Sequence, residues 1–275
     1  MKEKSTKRHV AVKVVDYDTE VAQKMITQER DIMLNIFLTI CKSSSLSQYI
    51  HVVQPLGFFL NEDSTKAYLV LEFCPRGDMR KYINNMRESG TAITDKKAFE
   101  LIAQIISAVH QLHINNIIHG DLKPENVLVM QDYRVKLSDF GLARKIEEGR
   151  DYLTAMGGTT HYLGPELLQS KSDSNPDNQQ AQKLIQTTAS DIWAVGIMMF
   201  ELLAQHHPFF DAKDKNLPLL ELARRITEDA PAELPGHYSD SLKKLIKNML
   251  TKDQSHRFSS ADILEIPEVA ECLKK

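Results

Sequence analysis

Residues 119–126 read His119-Gly120-Asp121-Leu122-Lys123-Pro124-Glu125-Asn126, and residues 139–141 read Asp139-Phe140-Gly141. A carboxylate (Asp121), an ammonium (Lys123), an amide (Asn126) and a second carboxylate (Asp139) therefore stand at fixed offsets. Between Asn126 and Asp139 lie two short strand-like runs, Val127–Met130 and Arg134–Leu137, joined by the polar turn Gln131-Asp132-Tyr133. A hairpin of this length brings Asn126 and Asp139 side by side. Two oxygen donors held together suit a hard cation such as Mg²⁺. Asp121 is suited to accept a proton from an attacking hydroxyl, and Lys123 to neutralise charge on a phosphoryl group.

The rest of the chain bounds what this stretch can belong to. With 275 residues and 42% hydrophobic composition there is ample apolar material for a buried core, as one large domain or two lobes. A formal charge of −3 implies no polyanionic partner, and no repeat or nucleic-acid motif occurs. Cys41, Cys74 and Cys272 form no CxxC pair and are odd in number, which points to a reduced, intracellular, cytoplasmic setting. The basic N-terminus has its apolar run broken by Lys13 and ended by Asp16, too short for a signal peptide. The longest apolar run, Ile192–Phe200, falls well short of the roughly 20 residues a bilayer requires, so a soluble protein is expected.

Working outward, residues 9–15 are rich in β-branched residues and predict a strand. Residues 20–40 carry Ala22, Met25, Ile26, Met33, Ile36, Phe37 and Ile40 at helical spacing. Glu29 falls on that apolar face, and a carboxylate aimed into a core needs a cation. Lys13, mid-strand, is the available one; the bland alternative leaves Lys13 in solvent and Glu29 at the edge of the stripe. Strands are predicted over 51–60 and 67–73, parted by Asn61-Glu62-Asp63-Ser64. Glu72-Phe73-Cys74-Pro75-Arg76-Gly77-Asp78 interrupts regular structure and is read as a hinge. Residues 96–115 predict a long amphipathic helix, whose His110 and His113 lack a third metal ligand and are read as structural. Residues 170–182, mostly Ser, Asn, Gln and Asp, predict a flexible surface insertion. The helix opened by Asp191 is apolar all round and belongs at the centre of a core.

Taken in order, Lys13, Glu29, Asp121, Lys123, Asn126, Asp139, Glu166, Asp191 and Arg257 resemble the anchor residues of the eukaryotic protein kinases, over residues from about 9 to 265. The resemblance implies an α+β, two-lobe fold: a truncated N-terminal β lobe over 1–73, a hinge at 74–78 and a mainly helical lobe over 79–275. It implies ATP and Mg²⁺ as cofactors and a protein substrate. Lys13, held by Glu29, would grip the α- and β-phosphates; Asn126 and Asp139 would hold the metal; Asp121 would orient the substrate hydroxyl. Lys123, together with Thr159 bridging it to Asp121, marks the serine/threonine class. Leu71 would guard the back of the nucleotide pocket, the backbone of Glu72 and Cys74 would meet the adenine, Ala11 and Leu128 would sandwich it, and Asp78 would lie near the ribose. Asp191 would hold the backbone of the catalytic loop, and Arg257 would pair with Glu166. Glu125 and Glu201 stand where basophilic relatives meet arginine, which implies basic residues upstream of the target.

Three departures qualify the resemblance. Only twelve residues precede Lys13 and no glycine precedes Gly57, whereas a glycine-rich loop with its strands needs roughly 20. The loop is thus expected to be absent from this chain, leaving an unpaired strand edge at 9–15. Either a longer parent protein or a degenerate, non-catalytic scaffold version of the fold would account for that. Gly120 replaces the usual arginine before Asp121, so a phosphate on Tyr152 or Thr154 would lack its usual partner. Gly164 replaces the usual alanine before Pro165-Glu166.

Overall fold

Residues 1, 8–43, 49–146, 153–154, 159–168, 185–211, 214 and 217–274 are described by the computed structural model, with backbone alone at 43, 153, 154 and 185. The polar stretch 170–182 and Tyr152 lie outside them.

The β-branched run near the N-terminus forms β1 (Val10–Asp16), paired antiparallel with β3 (Lys66–Glu72) from Val10 opposite Glu72 to Asp16 opposite Lys66. On the other edge of β3 lies β2 (Pro55–Leu60), giving the order β1-β3-β2. Met1 meets β1 at Val10, donating from its ammonium to the Val10 carbonyl (2.8 Å) and accepting from the Val10 N–H (2.9 Å). Across the sheet packs α1 (Glu20–Ser43), which buries Ile26, Met33, Ile36 and Ile40.

The expected strand at 51–60 divides in two. Pro55 has no N–H to extend a ladder, and β2 begins only there. His51 and Val53 bond instead to Leu137: its N–H donates to the His51 carbonyl (2.8 Å) and its carbonyl accepts from Val53 N–H (2.9 Å). The segment leading into the small sheet is thereby tied to the strand that precedes Asp139.

Beyond the sheet the chain is mainly helical. Asp78 caps α2 (Met79–Ser89) by accepting from Lys81 N–H, and Gly90 closes it at φ 62°. Thr94 caps α3 (Asp95–His113), whose apolar face is buried from Ala98 to Leu112. Short pairs follow: β4 (Ile117–Ile118) with β7 (Arg144–Lys145), β5 (Val127–Val129) with β6 (Val135–Leu137), and β8 (Leu153–Thr154) with β9 (Ile185–Gln186). After α4 (Pro165–Leu168) comes α5 (Thr188–Ala204), then α6 (Leu219–Glu228), α7 (Asp240–Met249), α8 (Ser260–Leu264) and α9 (Pro267–Leu273). The result is an α+β, two-lobe fold, with the sheet and α1 on one side and the helical body on the other. Among the described residues no helix is long and apolar enough to cross a membrane.

The centre of the helical body is α5, buried from Ser190 to Leu203 with Trp193 and Phe200 at its heart. It packs on α3 and α7. The approach to α7 depends on Gly196, where an added Cβ would stand 2.9 Å from Met249 Cβ and from Leu250 Cδ2. An added methyl at Gly236 would meet nothing within 4 Å. In denaturant titrations Gly196→Ala is therefore expected to cost roughly 1–3 kcal/mol, with Gly236→Ala within about 0.5 kcal/mol of wild type. Equal stability of the two variants would contradict the close approach.

Candidate active site

The hairpin of β5 and β6 pairs Val127 with Leu137 and Val129 with Val135, around a turn in which Tyr133 sits at φ 62°. At its open end, Ser138 donates from both N–H (2.9 Å) and Oγ (3.1 Å) to the Asn126 carbonyl. Asp139 follows at once, at φ 59°, in the left-handed region that a non-glycine residue occupies at some cost. Its partner Phe140 is fully buried against the ring of His119, centroids 5.0 Å apart, which anchors the turn and leaves the Asp139 side chain half exposed.

Asp121 is the hub of the loop before the hairpin. One carboxylate oxygen accepts from Lys123 Nζ (2.6 Å) and Asn126 Nδ2 (3.1 Å). The other accepts from the N–H (3.1 Å) and Oγ1 (3.0 Å) of Thr159, and Lys123 Nζ also donates to Thr159 Oγ1 (2.8 Å). Asp121, Lys123 and Thr159 thus form one closed cluster. Asn126 is buried and spends its Nδ2 on the carbonyl and carboxylate of Asp121, so the amide is oriented by that residue. No group of three or more His, Cys, Asp or Glu able to hold a metal occurs among the described residues. An amide and one carboxylate nevertheless fit Mg²⁺, which takes one or two protein oxygens and fills its octahedron with water and phosphate.

Lys13 reaches Asp139 from β1. Its Nζ lies 2.6 Å from Glu29 Oε1 and 3.4 Å from Asp139 Oδ1. Burial pulls its pKa down, but the hydrogen bond and charge of Glu29, with the charge of Asp139, raise it overall, so the ammonium is held charged. Glu29 is itself buried on the apolar stripe of α1, so the pairing with Lys13 is what makes its position tolerable.

The remaining sequence-derived candidates lie on β1, β3 and β5 and on the segment between β3 and α2. Ala11 and Leu71 are cross-strand partners, and both are half-buried. Leu128 is half-buried on β5 and bridges Asp78, whose carboxylate is engaged as the cap of α2. The N–H of Glu72 donates to Gln54 O (3.0 Å), and its carboxylate pairs with buried Lys136 at 2.9 Å. Cys74 is buried, its thiol pushed up to about 11 by burial, and its carbonyl accepts from Gly77 N–H (3.3 Å).

Beneath the loop, Asp191 in α5 accepts from His119 N–H (2.9 Å), Gly120 N–H (3.0 Å) and His113 Nε2 (3.0 Å). Burial pushes the Asp191 carboxyl up, but the hydrogen bonds from His113 and Gly120 outweigh it and hold the group below the usual carboxylate range. His113 was readable as structural, though not as the partner of Asp191; its place in the last turn of α3 carries no mark of that contact. Nor did the sequence announce Arg80, which binds Glu125 (2.7 Å) and Glu201 (3.1 Å) together. Tyr162 joins them, donating to Glu201 Oε2 (2.6 Å). The two carboxylates expected to greet basic residues thus already share a guanidinium. Glu166 takes a bidentate pair from fully buried Arg257, both at 2.9 Å.

The charge on Asp191 contributes stability above the ordinary carboxylate pKa and loses it only as pH falls through the depressed folded value. Asp191→Asn would turn an amide N–H toward one of three donors. It is expected to lower unfolding free energy by roughly 1–3 kcal/mol, with the deficit present at neutral pH and fading in acid. Wild-type stability for the variant at pH 7 would contradict the assignment.

Residues 1–268 match the family model of the protein kinase domain. The chain is 34% identical over 206 residues to serine/threonine-protein kinase Nek6 of Oryza sativa subsp. japonica, covering 75% of this chain and 34% of that protein. Against serine/threonine-protein kinase Nek2 of Mus musculus it is 29% identical over 98% of its own length and 56% of the relative's. Against the cAMP-dependent protein kinase catalytic subunit PRKX of Homo sapiens the figures are 31%, 94% and 63%. The chain therefore spans between a third and under two thirds of the length of these relatives. With the loop of Asp121, the Lys13–Glu29 pair and the buried Asp191 already in one frame, the match over nearly the whole chain makes it a member of the protein kinase family.

Proposed function

We propose that this chain transfers the γ-phosphoryl group of ATP to serine or threonine hydroxyls of protein substrates. The observation that carries this reading is the double engagement of the site: Asp121 is fixed by Lys123 and Thr159, while Lys13 spans Glu29 and Asp139. On this reading residues 1–73 are the small lobe, 74–78 the hinge and 79–275 the large lobe. Adenine lies between Ala11 and Leu128, with Leu71 behind it, the backbone of Glu72 and Cys74 at its edge, and Asp78 toward the ribose.

Asp121 orients the substrate hydroxyl and takes its proton as the new oxygen–phosphorus bond forms and the bond from the γ-phosphorus to the bridging oxygen breaks, releasing ADP. Lys123 offsets charge on the group in transit, and Thr159 keeps the lysine and the carboxylate in register. Lys13, held charged between Glu29 and Asp139, holds the α- and β-phosphates. Asn126 and Asp139 are the residues that would hold Mg²⁺, which when bound supplies positive charge between the β- and γ-phosphates. The reaction asks for positioning and electrostatics rather than covalent work, and the site is built from rigidly held charges. Because Arg80 neutralises one of the two carboxylates of Glu125 and Glu201, a basic residue upstream of the target would be favoured only weakly.

Transfer from labelled ATP to a protein or peptide substrate tests this. Asp121→Asn is expected to lower the rate by about 10²–10⁴-fold, and Lys13→Met to weaken ATP binding while the fold, read by circular dichroism, is kept. Equal rates for wild type and Asp121→Asn would overturn the mechanism.

A further inference from the structure

Gly120 lies at φ +81°, and a Cβ there would stand 3.1 Å from the Leu142 carbonyl and 3.3 Å from Gln186 Nε2. Backbone conformation and crowding both select glycine at this position. Glycine immediately before Asp121 has a consequence for the loop: it is the residue with the most backbone freedom to lose, placed where the carboxylate must be held still. In the folded chain that freedom is removed at both polar groups of Gly120. Its N–H is held by Asp191 at 3.0 Å, and its carbonyl faces Gln186 Nε2 at 3.5 Å.

Gln186 is 4% exposed and belongs to β9. Its backbone pairs with Leu153, and Ile185 pairs with Thr154, so β9 carries β8, part of the stretch between Asp139 and Glu166. Gln186, Gly120, Asp121, Thr159 and Asp191 together border a cavity of about 10 Å³, room for about one water. The side-chain amide of Gln186 thus touches the loop of Asp121, while the backbone of the same residue pairs with β8. Every link from β8 to Gly120 is uncharged: one backbone ladder and an amide beside a carbonyl.

We propose that Gln186 is a positioning residue: it occupies the space beside Gly120 and couples the β8–β9 pair to the loop of Asp121, so that the loop is set without a phosphate on that segment. The catalytic consequence rests on the kinase reading; the structural one does not. An ion pair with a phosphate is created and removed by modification, whereas a buried amide in a strand ladder is present whenever the chain is folded.

The test uses the full chain, phosphatase-treated or untreated, as wild type, Gln186→Ala and Gln186→Met; methionine keeps the length of the side chain without its amide. Phosphatase is expected to leave wild-type kcat within about twofold. Both variants are expected to lose about tenfold in kcat with KM for ATP within about twofold, since orientation and not nucleotide binding is lost. Both should also speed hydrogen exchange at the amides of Gly120 and Asp121. Loss of wild-type activity on phosphatase treatment would overturn the proposal. So would a Gln186→Met variant that behaves as wild type, because Gln186 would then be only a space filler. If wild type transfers no phosphate the kinase reading fails by itself, and the exchange rates decide: faster at Gly120 and Asp121 in both variants supports the coupling, unchanged rates overturn it.

Discussion

A carboxylate buried in the middle of a protein must be met by donors or it unfolds its surroundings, and the site is built on that demand at Asp191. Three donors converge on it, from the end of α3 and from the backbone of His119 and Gly120. Asp191 sits in the first turn of α5, a helix buried from Ser190 to Leu203. Its carboxylate thereby ties the backbone of a loop that has little regular structure of its own to that helix. Asp121 is the next residue, and its carboxylate is then closed in by Lys123, Asn126 and Thr159.

The same logic runs upward into the smaller lobe. The hairpin of β5 and β6 is bonded to His51 and Val53 through Leu137, just ahead of Asp139. Lys13 completes the link, since one ammonium serves both Glu29 on α1 and Asp139 on the loop. A buried acid on an apolar helix face is thus the device by which the position of α1 and the charge state of the site depend on each other. Removing Lys13 would leave the buried carboxylate of Glu29 without compensation, whereas removing Glu29 would leave Lys13 with Asp139.

Much of this was legible because it is local. The offsets within residues 119–141, the helix over 95–113 and the buried helix opened by Asp191 follow from periodicity and short-range turns. Glu29 was readable for another reason: an acid on an apolar stripe is an anomaly that demands a partner. What the sequence hid are contacts between polar residues far apart, each with an ordinary solvated alternative. His113 reaches Asp191 across 78 positions, Arg80 reaches Glu201 across 121, and Gln186 reaches Gly120 across 66. Nothing in the composition around these residues distinguishes them from surface charges and amides. The parallel link from residues 51–53 to Leu137 was hidden too, because an apolar run reads as a strand without saying which strand it joins.

On the proposed reading Asp121 is the acceptor, Lys123 the cation facing the phosphoryl group, Asn126 and Asp139 the pair for a divalent ion and Lys13 the cation for the remaining phosphates, and the loop of Asp121 is tied through His119 and Gly120 to one buried helix. Mass spectrometry of serine- and threonine-containing peptides incubated with the chain and ATP, with Mg²⁺ or with a chelator, is the most direct measurement of what that assembly does. The account predicts phosphoserine or phosphothreonine that forms with Mg²⁺ and disappears on chelation. Peptides that stay unmodified with Mg²⁺, in the presence of chain that unfolds cooperatively, would contradict it.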